Sequence, residues 1–403
     1  MKKASFQEGL DKAWQEYLKA ERAKKYPNIM LLGISGAGKS SLVNCVFGTN
    51  EAETSNVAPE TKGYCNFFDG HKYGRKINLI DTAGYELNQS DSYFASITEA
   101  INAKYDGEPI HILWYCLSVG NERIEEIDLR VLRSLMKIDS VKDRLCIVFT
   151  HCDLDDEESS NEKAFKRVLQ NNGLKELPMF EVSIDPKLRL QLPDLIQWST
   201  EQLKDEDFRQ SFIGSQMVDL ELKKKEAEKI INNACLSVGA LKVSEMLLQD
   251  DKKKALAEHQ MKMVTNIFSV YGIDCLAGLT KRFEKTTSLV DFGNGLVSLI
   301  VKVIPKAERF QEYIKTAAAT GLTKAVGTAA SKISYSYVEK HIKGIPVKLE
   351  EFYADPDSAG IIATLLDDVI SVTGNKLQGK EDKKKDSTTT KGKSGPKKNK
   401  KKQ

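Results

Sequence analysis

Gly33-Ile34-Ser35-Gly36-Ala37-Gly38-Lys39-Ser40 fits the pattern G-x-x-x-x-G-K-[ST]. It follows the apolar run Ile29–Leu32 directly and leads directly into a helical pattern over 39–47. That strand-loop-helix context gives the pattern its meaning. Glycines let the chain curl so that backbone N–H groups converge on phosphate oxygens, and the helix N-terminus adds positive potential. The candidate phosphate-binding residues are Ser35, Gly36, Ala37, Gly38, Lys39, Ser40 and Ser41. Lys39 is the catalytic cation for the β- and γ-phosphates, and Ser40 is a candidate Mg²⁺ ligand.

Further along, Asp81-Thr82-Ala83-Gly84 closes another apolar run, Ile77–Ile80. An acid at a strand end beside a phosphate loop holds the Mg²⁺ hydration shell, and Gly84 offers its N–H to a γ-phosphate. The polar stretch 50–62 contains Thr54, Ser55 and Thr61. Thr61 is the preferred residue to complete the metal shell, with Thr54 as the alternative, because Thr61 directly precedes a strand. Metal candidates are therefore Ser40, Thr61 and Asp81. Thr150-His151-Cys152-Asp153 ends the run Leu145–Phe149, and Val182-Ser183-Ile184 ends Met179–Val182. A carboxylate at 153 accepts both N–H donors of a guanine edge, a pair that adenine lacks. Ser183 and Ile184 are candidates to offer backbone N–H groups to the guanine oxygen. Thr150 and His151 complete the base-site candidates.

The same runs set the fold class. A fifth, Ile110–Tyr115, joins them, and helical patterns intervene at about 39–47, 92–104, 123–138, 161–172 and 190–204. Such alternation predicts an α/β domain with a mostly parallel sheet covered on both faces. One antiparallel hairpin is expected, with 63–68 turning through Asp69-Gly70 into 76–80. After about residue 207 the strand signals stop, and 215–345 read as helices. Ala317, Gly321, Ala325 and Ala329 recur every fourth residue, which suits close helix packing or, alternatively, a homodimer contact. The apolar segment 289–301 reads as a buried core helix.

The organisation expected is an amphipathic helix over 1–25, an α/β domain over 26–207, an all-α domain over 208–345, additional helices over 346–378 and a disordered tail over 379–403. The first helix is read from Phe6, Leu10, Trp14, Tyr17 and Leu18 on one face, ended by Pro27. The tail carries eleven lysines against three acids within 380–402, so a net +8 there leaves −5 on the remainder of a chain of net +3. It lacks the apolar residues to build a core.

With 403 residues, 41% hydrophobic and 29% charged, the chain reads as a globular protein of more than one domain. The start shows no signal-peptide core, and no run reaches the ~18 apolar residues of a membrane span. Seven scattered cysteines without a Cys-x-x-Cys pair read as reduced thiols, so a cytoplasmic location is expected, with peripheral membrane attachment as an alternative.

These motifs, in this order, resemble the translation-factor-like superfamily of GTPases, and most closely the Era-like, ribosome-binding-type family. Trp114-Tyr115-Cys116, the segment Arg123-Ile124-Glu125-Glu126-Ile127-Asp128 and Thr150–Asp153 also look like that family, over about residues 26–207. The resemblance implies a Ras-like P-loop GTPase domain that binds GTP and GDP with Mg²⁺ and turns GTP over to GDP and phosphate. Three departures stand out. T-H-C-D replaces N-K-x-D or T-K-x-D, so His151 takes the place of a lysine stem. Tyr85 stands where Ras-like proteins have a water-positioning glutamine, which implies slow unaided hydrolysis. Gly36 replaces the asparagine of potassium-dependent relatives. The segments 216–234, 259–273 and 303–337 resemble a helical domain of unknown function that follows the GTPase domain in a subset of bacterial Era-like proteins.

The function expected is thus a nucleotide switch whose helical domain couples nucleotide state to self-association or a protein partner. Alternatives are a dynamin-like GTPase on an anionic membrane, a ribosome or RNA assembly factor using the lysine tail, and a nucleotide-bound scaffold that does not hydrolyse. The acidic body and the lack of aromatic–basic interleaving place the RNA reading below the first two.

Overall fold

The structure is a computed structural model that describes residues 19, 23–48, 60–62, 65–68, 76–82, 90–121, 123–156, 158–185, 190–240, 250–273 and 319–345. The expected N-terminal amphipathic helix (apart from helical backbone at Lys19 and Ala23), the apolar segment 289–301, the helices over 346–378 and the lysine tail lie outside the described residues.

Seven strands form one sheet. They are β1 (Asn28–Leu32), β2 (Glu60–Lys62), β3 (Cys65–Phe68), β4 (Asn78–Thr82), β5 (Ile112–Ser118), β6 (Leu145–Thr150) and β7 (Met179–Glu181), in the order β2-β3-β4-β1-β5-β6-β7. The five from β4 to β7 in that order run parallel, whereas β2 and β3 pair antiparallel. The antiparallel pairing of β3 with β4 is as the sequence predicts, and the expected turn at Asp69-Gly70 lies outside the described residues. Strand β2 is a correction: Thr61 lies inside a three-residue edge strand, opposite Asn66, rather than ahead of the first strand. Glu-Thr-Lys has no apolar pattern to announce a strand, and a short charged edge is how sheets avoid pairing with other chains.

Around the sheet lie α1 (Lys39–Phe47), α2 (Ser90–Asn102), α3 (Glu126–Leu135), α4 (Asp139–Lys142), α5 (Ser160–Asn171) and α6 (Leu192–Gln202). The helix expected over about 123–138 is α3, which stops at Leu135; Ile138 turns extended (φ −92°, ψ 105°) and starts the separate short α4. Strand residues alternate between two cores. Met30, Leu32, Tyr115, Leu117, Ile147 and Phe149 face one layer; Ile29, Leu31, Trp114, Cys116, Cys146 and Val148 face the other. Both faces are covered, which is why these strands read as unbroken apolar runs.

The chain continues into α7 (Glu206–Ser215), α8 (Leu220–Ala240), α9 (Asp250–Val270) and α10 (Ala319–Ile342). Asp205 caps α7, accepting from the backbone N–H groups of Asp207 and Phe208 at 2.9 and 3.1 Å. Within α7 adjacent residues serve two cores. Phe212 is buried in the sheet domain, edge-on to Phe47 with ring centroids 6.0 Å apart, whereas Ile213 packs among α8, α9 and α10. In α10, a Cβ on Gly327 would lie 2.7 Å from Ile231 Cγ1 and 3.0 Å from Met263 Sδ, so close packing needs a small residue there. Ala329, in the small-residue stripe, is buried in the same bundle.

The helices dock at one end of the sheet. At the foot of α1, the Met217 N–H donates to Val46 O at 2.7 Å. Just ahead of β4, Lys76 Nζ donates to Ser269 Oγ at 2.7 Å. Just ahead of β5, the His111 ring meets Phe208 edge-on at 4.5 Å. All three contacts sit where the parallel strands begin, away from the strand ends that lead into the phosphate loop.

Lys223 ties this junction together. It is fully buried, and its ammonium donates to Ile213 O (2.7 Å), Gly214 O (2.8 Å) and Val270 O (3.2 Å), the carbonyls at the ends of α7 and α9. Those ends nearly touch: a Cβ on Gly214 would lie 2.3 Å from Ser269 O. Burial, helped by the charge of Lys76, pulls the lysine pKa down to about 7. Lys223→Met is expected to cost about 3 kcal/mol, since it leaves three buried carbonyls without a donor. Urea denaturation measures this; an unchanged midpoint would show that the carbonyls find other donors.

Candidate functional site

The phosphate loop runs from the end of β1 into α1. Gly33 (φ +133°) and Gly38 (φ +78°) are the positions where only glycine serves. A Cβ at 33 would sit 2.4 Å from Cys116 O, and one at 38 would sit 2.9 Å from His151 Cε1. Lys39 is buried in the first turn of α1, and its Nζ donates back to Gly33 O at 3.1 Å and Ile34 O at 3.2 Å. The loop is thereby closed around a cation. Ser35, Gly36 and Ser40 lie exposed at its mouth, and Ala37 is buried beneath.

Asp81 stands beside this loop, paired in register with Leu31 at the end of β1. Its Oδ1 is the single buried side-chain oxygen or nitrogen without a hydrogen-bond partner among the described residues. Desolvation raises the Asp81 pKa, and the charge of Lys39 opposes that shift. A buried carboxylate oxygen that nothing satisfies, within reach of the Lys39 charge, is a donor that suits a hydrated Mg²⁺. Neighbouring Thr82 is spoken for, donating to Leu31 O at 2.9 Å.

Two strands from β1, Thr150 ends β6 and donates from Oγ1 to Ala37 O at 2.8 Å, bonding the Thr150–Asp153 loop to the glycine loop. His151 follows in a left-handed conformation (φ +57°), with its Nδ1 2.9 Å from Ser118 Oγ. Asp153 sits in a short 3₁₀ turn, Cys152–Leu154, and accepts from Ser183 Oγ at 2.8 Å. Ser183 in turn accepts from the Asp185 N–H at 3.0 Å. Ile184 is exposed beside it.

Lys39, Ser40, Asp81, Thr150, His151, Asp153, Ser183 and Ile184 all stand at or just beyond the C-terminal ends of parallel strands. Open α/β sheets bind ligands outside those ends. Gly84 lies outside the described residues, and Thr61 is placed by its backbone alone. Sequence reading missed Ser118. The signal was faint: one hydroxyl closing the apolar run Ile112–Leu117, in register with Thr150 on the next strand.

The fold and these residues define the class, a P-loop GTPase domain. Residues 27–179 match the AIG1 family. The chain is 31% identical over 110 residues to "Probable GTP-binding protein EngB" of Rhodopseudomonas palustris (strain HaA2), covering 27% of this chain and 50% of the relative. It is 31% identical over 136 residues to "Immune-associated nucleotide-binding protein 1" of Arabidopsis thaliana, covering 32% of this chain and 59% of the relative. Septin-10 of Mus musculus is 26% identical over 130 residues, covering 27% of this chain and 29% of the septin. The chain thus spans about half the length of the EngB relative and less than a third of the septin. Among solved structures, Toc33 from Arabidopsis thaliana in complex with Mg²⁺ and GMPPNP superposes with TM-score 0.31 and 18% identity over 49% of this chain and 94% of the other.

Thr150→Val keeps the shape of Thr150 and removes the bond to Ala37 O. It is expected to cost about 1–3 kcal/mol in stability, because the carbonyl is left buried and unpaired. Thermal unfolding measures it, and a Tm within error of wild type would show the two loops are not joined through this hydroxyl.

Proposed function

We propose that the chain binds GTP and GDP with Mg²⁺ and hydrolyses GTP to GDP and phosphate, as a nucleotide-dependent switch. The observation that carries the reading is the buried Lys39 beside the orphaned Asp81 oxygen at the mouth of a glycine loop. Phosphates satisfy the first, and a hydrated divalent cation satisfies the second. The AIG1 match and the printed names of the EngB and immune-associated relatives support it.

In this mechanism the loop N–H groups and Lys39 bind and neutralise the β- and γ-phosphates. Asp81 and Ser40, with Thr61, hold Mg²⁺, which when bound neutralises charge on the triphosphate. Asp153 accepts the two N–H donors of guanine, and the Ser183 hydroxyl keeps that carboxylate oriented. Tyr85 carries no amide to orient an attacking water, so unaided turnover is slow. That residue also favours a second reading, a nucleotide-bound scaffold that does not hydrolyse. The helical region docks at the pole remote from the site. Coupling of nucleotide state to it has routes down α1 to Met217, along β4 to Lys76 and Ser269, and along β5 to His111 and Phe208.

No described helix is long and apolar enough to cross a membrane. We place the protein in the cytoplasm, with its partner class, a second copy or another protein, left to pull-down experiments in each nucleotide state.

Lys39→Ala is expected to abolish GDP and GTP binding in a fluorescent-nucleotide titration, and wild-type affinity would remove the loop from the reading. Asp153→Asn is expected to shift preference from guanine toward xanthine nucleotides. The amide donates where the carboxylate accepted, and xanthine presents the matching acceptor. Unchanged preference in competition binding would remove Asp153 from the base site. Phosphate release by wild-type protein decides between switch and scaffold.

A further inference from the structure

We propose that Ser118 is a positioning residue of the base site, holding the His151 ring against the phosphate loop as a wall for the purine. This rests on the guanine-nucleotide reading above and adds a residue that no motif of that reading contains.

The backbone at His151 is left-handed, a conformation that costs a non-glycine residue energy and persists where its surroundings over-determine it. Here three elements fix the ring. Ser118 Oγ, at the end of β5, lies 2.9 Å from His151 Nδ1. Thr150 Oγ1 lies 3.4 Å from the same nitrogen. Gly38, the last glycine of the phosphate loop, faces ring atom Cε1 so closely that an added Cβ would be 2.9 Å away.

The Thr150 hydroxyl has other acceptors, Ala37 O at 2.8 Å and Leu117 O at 3.4 Å, so the bond between Ser118 Oγ and Nδ1 is the short one that the ring makes. Either of its two atoms can be the donor. No described residue is hydrogen-bonded to Nε2. Ser118 is 6% exposed, and its hydroxyl has the ring as partner.

The flat ring consequently spans the gap between the end of β5 and the head of α1. In this position it replaces a flexible lysine stem by a fixed aromatic face, and purines stack on such faces. A histidine free to rotate would present that face only part of the time. Affinity for the base then depends on Ser118, which touches no nucleotide itself.

The test is a double-mutant cycle on GDP affinity, read by fluorescent-nucleotide titration of wild type, Ser118→Ala, His151→Ala and the double variant. Ser118→Ala is expected to weaken GDP about three- to tenfold, the worth of one hydrogen bond. In the His151→Ala background the same change is expected to add nothing, and Ser118→Thr is expected to retain wild-type affinity. Nitrogen-15 NMR of the histidine rings gives a readout that a merely structural role would not move: the His151 Nδ1 resonance is expected to shift in Ser118→Ala, because that nitrogen loses its hydrogen bond. An equal loss from Ser118→Ala in both backgrounds, or a His151 Nδ1 resonance that Ser118→Ala leaves unmoved, overturns the assignment while leaving GDP binding in place. Wild-type protein that binds no guanine nucleotide overturns the underlying reading and this inference with it.

Discussion

Lys39 is the constraint on which the nucleotide end of the molecule is built. Its ammonium is buried at the start of α1 and donates to carbonyls at the far side of its own loop, so the loop is closed by a charge rather than by apolar packing. That closure requires the positive φ of Gly38 and the bare Cα of Gly33, which lies against Cys116 O. A buried cation also sets a demand on its surroundings. The carboxylate nearby, Asp81, answers only part of it, because one of its own oxygens lacks a partner. Burial drives Asp81 toward its neutral form, while Lys39 draws it toward the anion. A site with two opposed, incompletely satisfied charges is built to be completed by a ligand that carries both signs, and a metal–triphosphate is one such ligand.

The base end hangs from the same loop. Thr150 bonds to Ala37, and the His151 ring rests on Gly38, so β6 cannot shift without moving the phosphate loop. Asp153 and Ser183 form a second pair one turn further on. The glycine loop and the loop after β6 are in this way joined by a hydrogen bond, although their residues are more than a hundred positions apart in sequence.

Much of this was legible beforehand, for definite reasons. Parallel strands buried on both faces produce unbroken apolar runs, and the glycine loop between one such run and a helix has little freedom to be anything else. The positions of Asp81 and Asp153 were readable because each is an acid just past or at the end of an apolar run, and that of Lys39 because it closes the glycine loop. The segment 27–179 matches the AIG1 family, whereas the short motifs within it had suggested an Era-like resemblance. Strand β2 was not readable, since an edge strand of three polar residues has no pattern. Ser118 was hidden because a serine closing a strand is ordinary until the neighbouring strand places a histidine against it. Lys223 read as one more lysine in a charged helix, Leu-Lys-Lys-Lys-Glu. Nothing local marks it as the lysine that turns inward to meet three carbonyls from two other helices.

The junction bears on how the two regions depend on each other. A boundary drawn at 207 from the end of strand signals falls inside α7, whose next residues complete the sheet domain. Phe212 is fully buried against Phe47, and Phe47 stacks on Trp114 with centroids 6.0 Å apart, so this aromatic series runs from α7 into the centre of the sheet. Cutting the chain there would leave Phe47 facing water and Val46 O without the Met217 N–H. Because α1 begins at Lys39 and ends at these same residues, damage at its foot would be felt at its head. A loss of nucleotide binding in a fragment ending at 207 would therefore reflect a broken core before it reflected any role of the helical region in the chemistry. The question of what the helices contribute has to be put to the full chain, through substitutions that leave Phe212, Met217 and Lys223 in place.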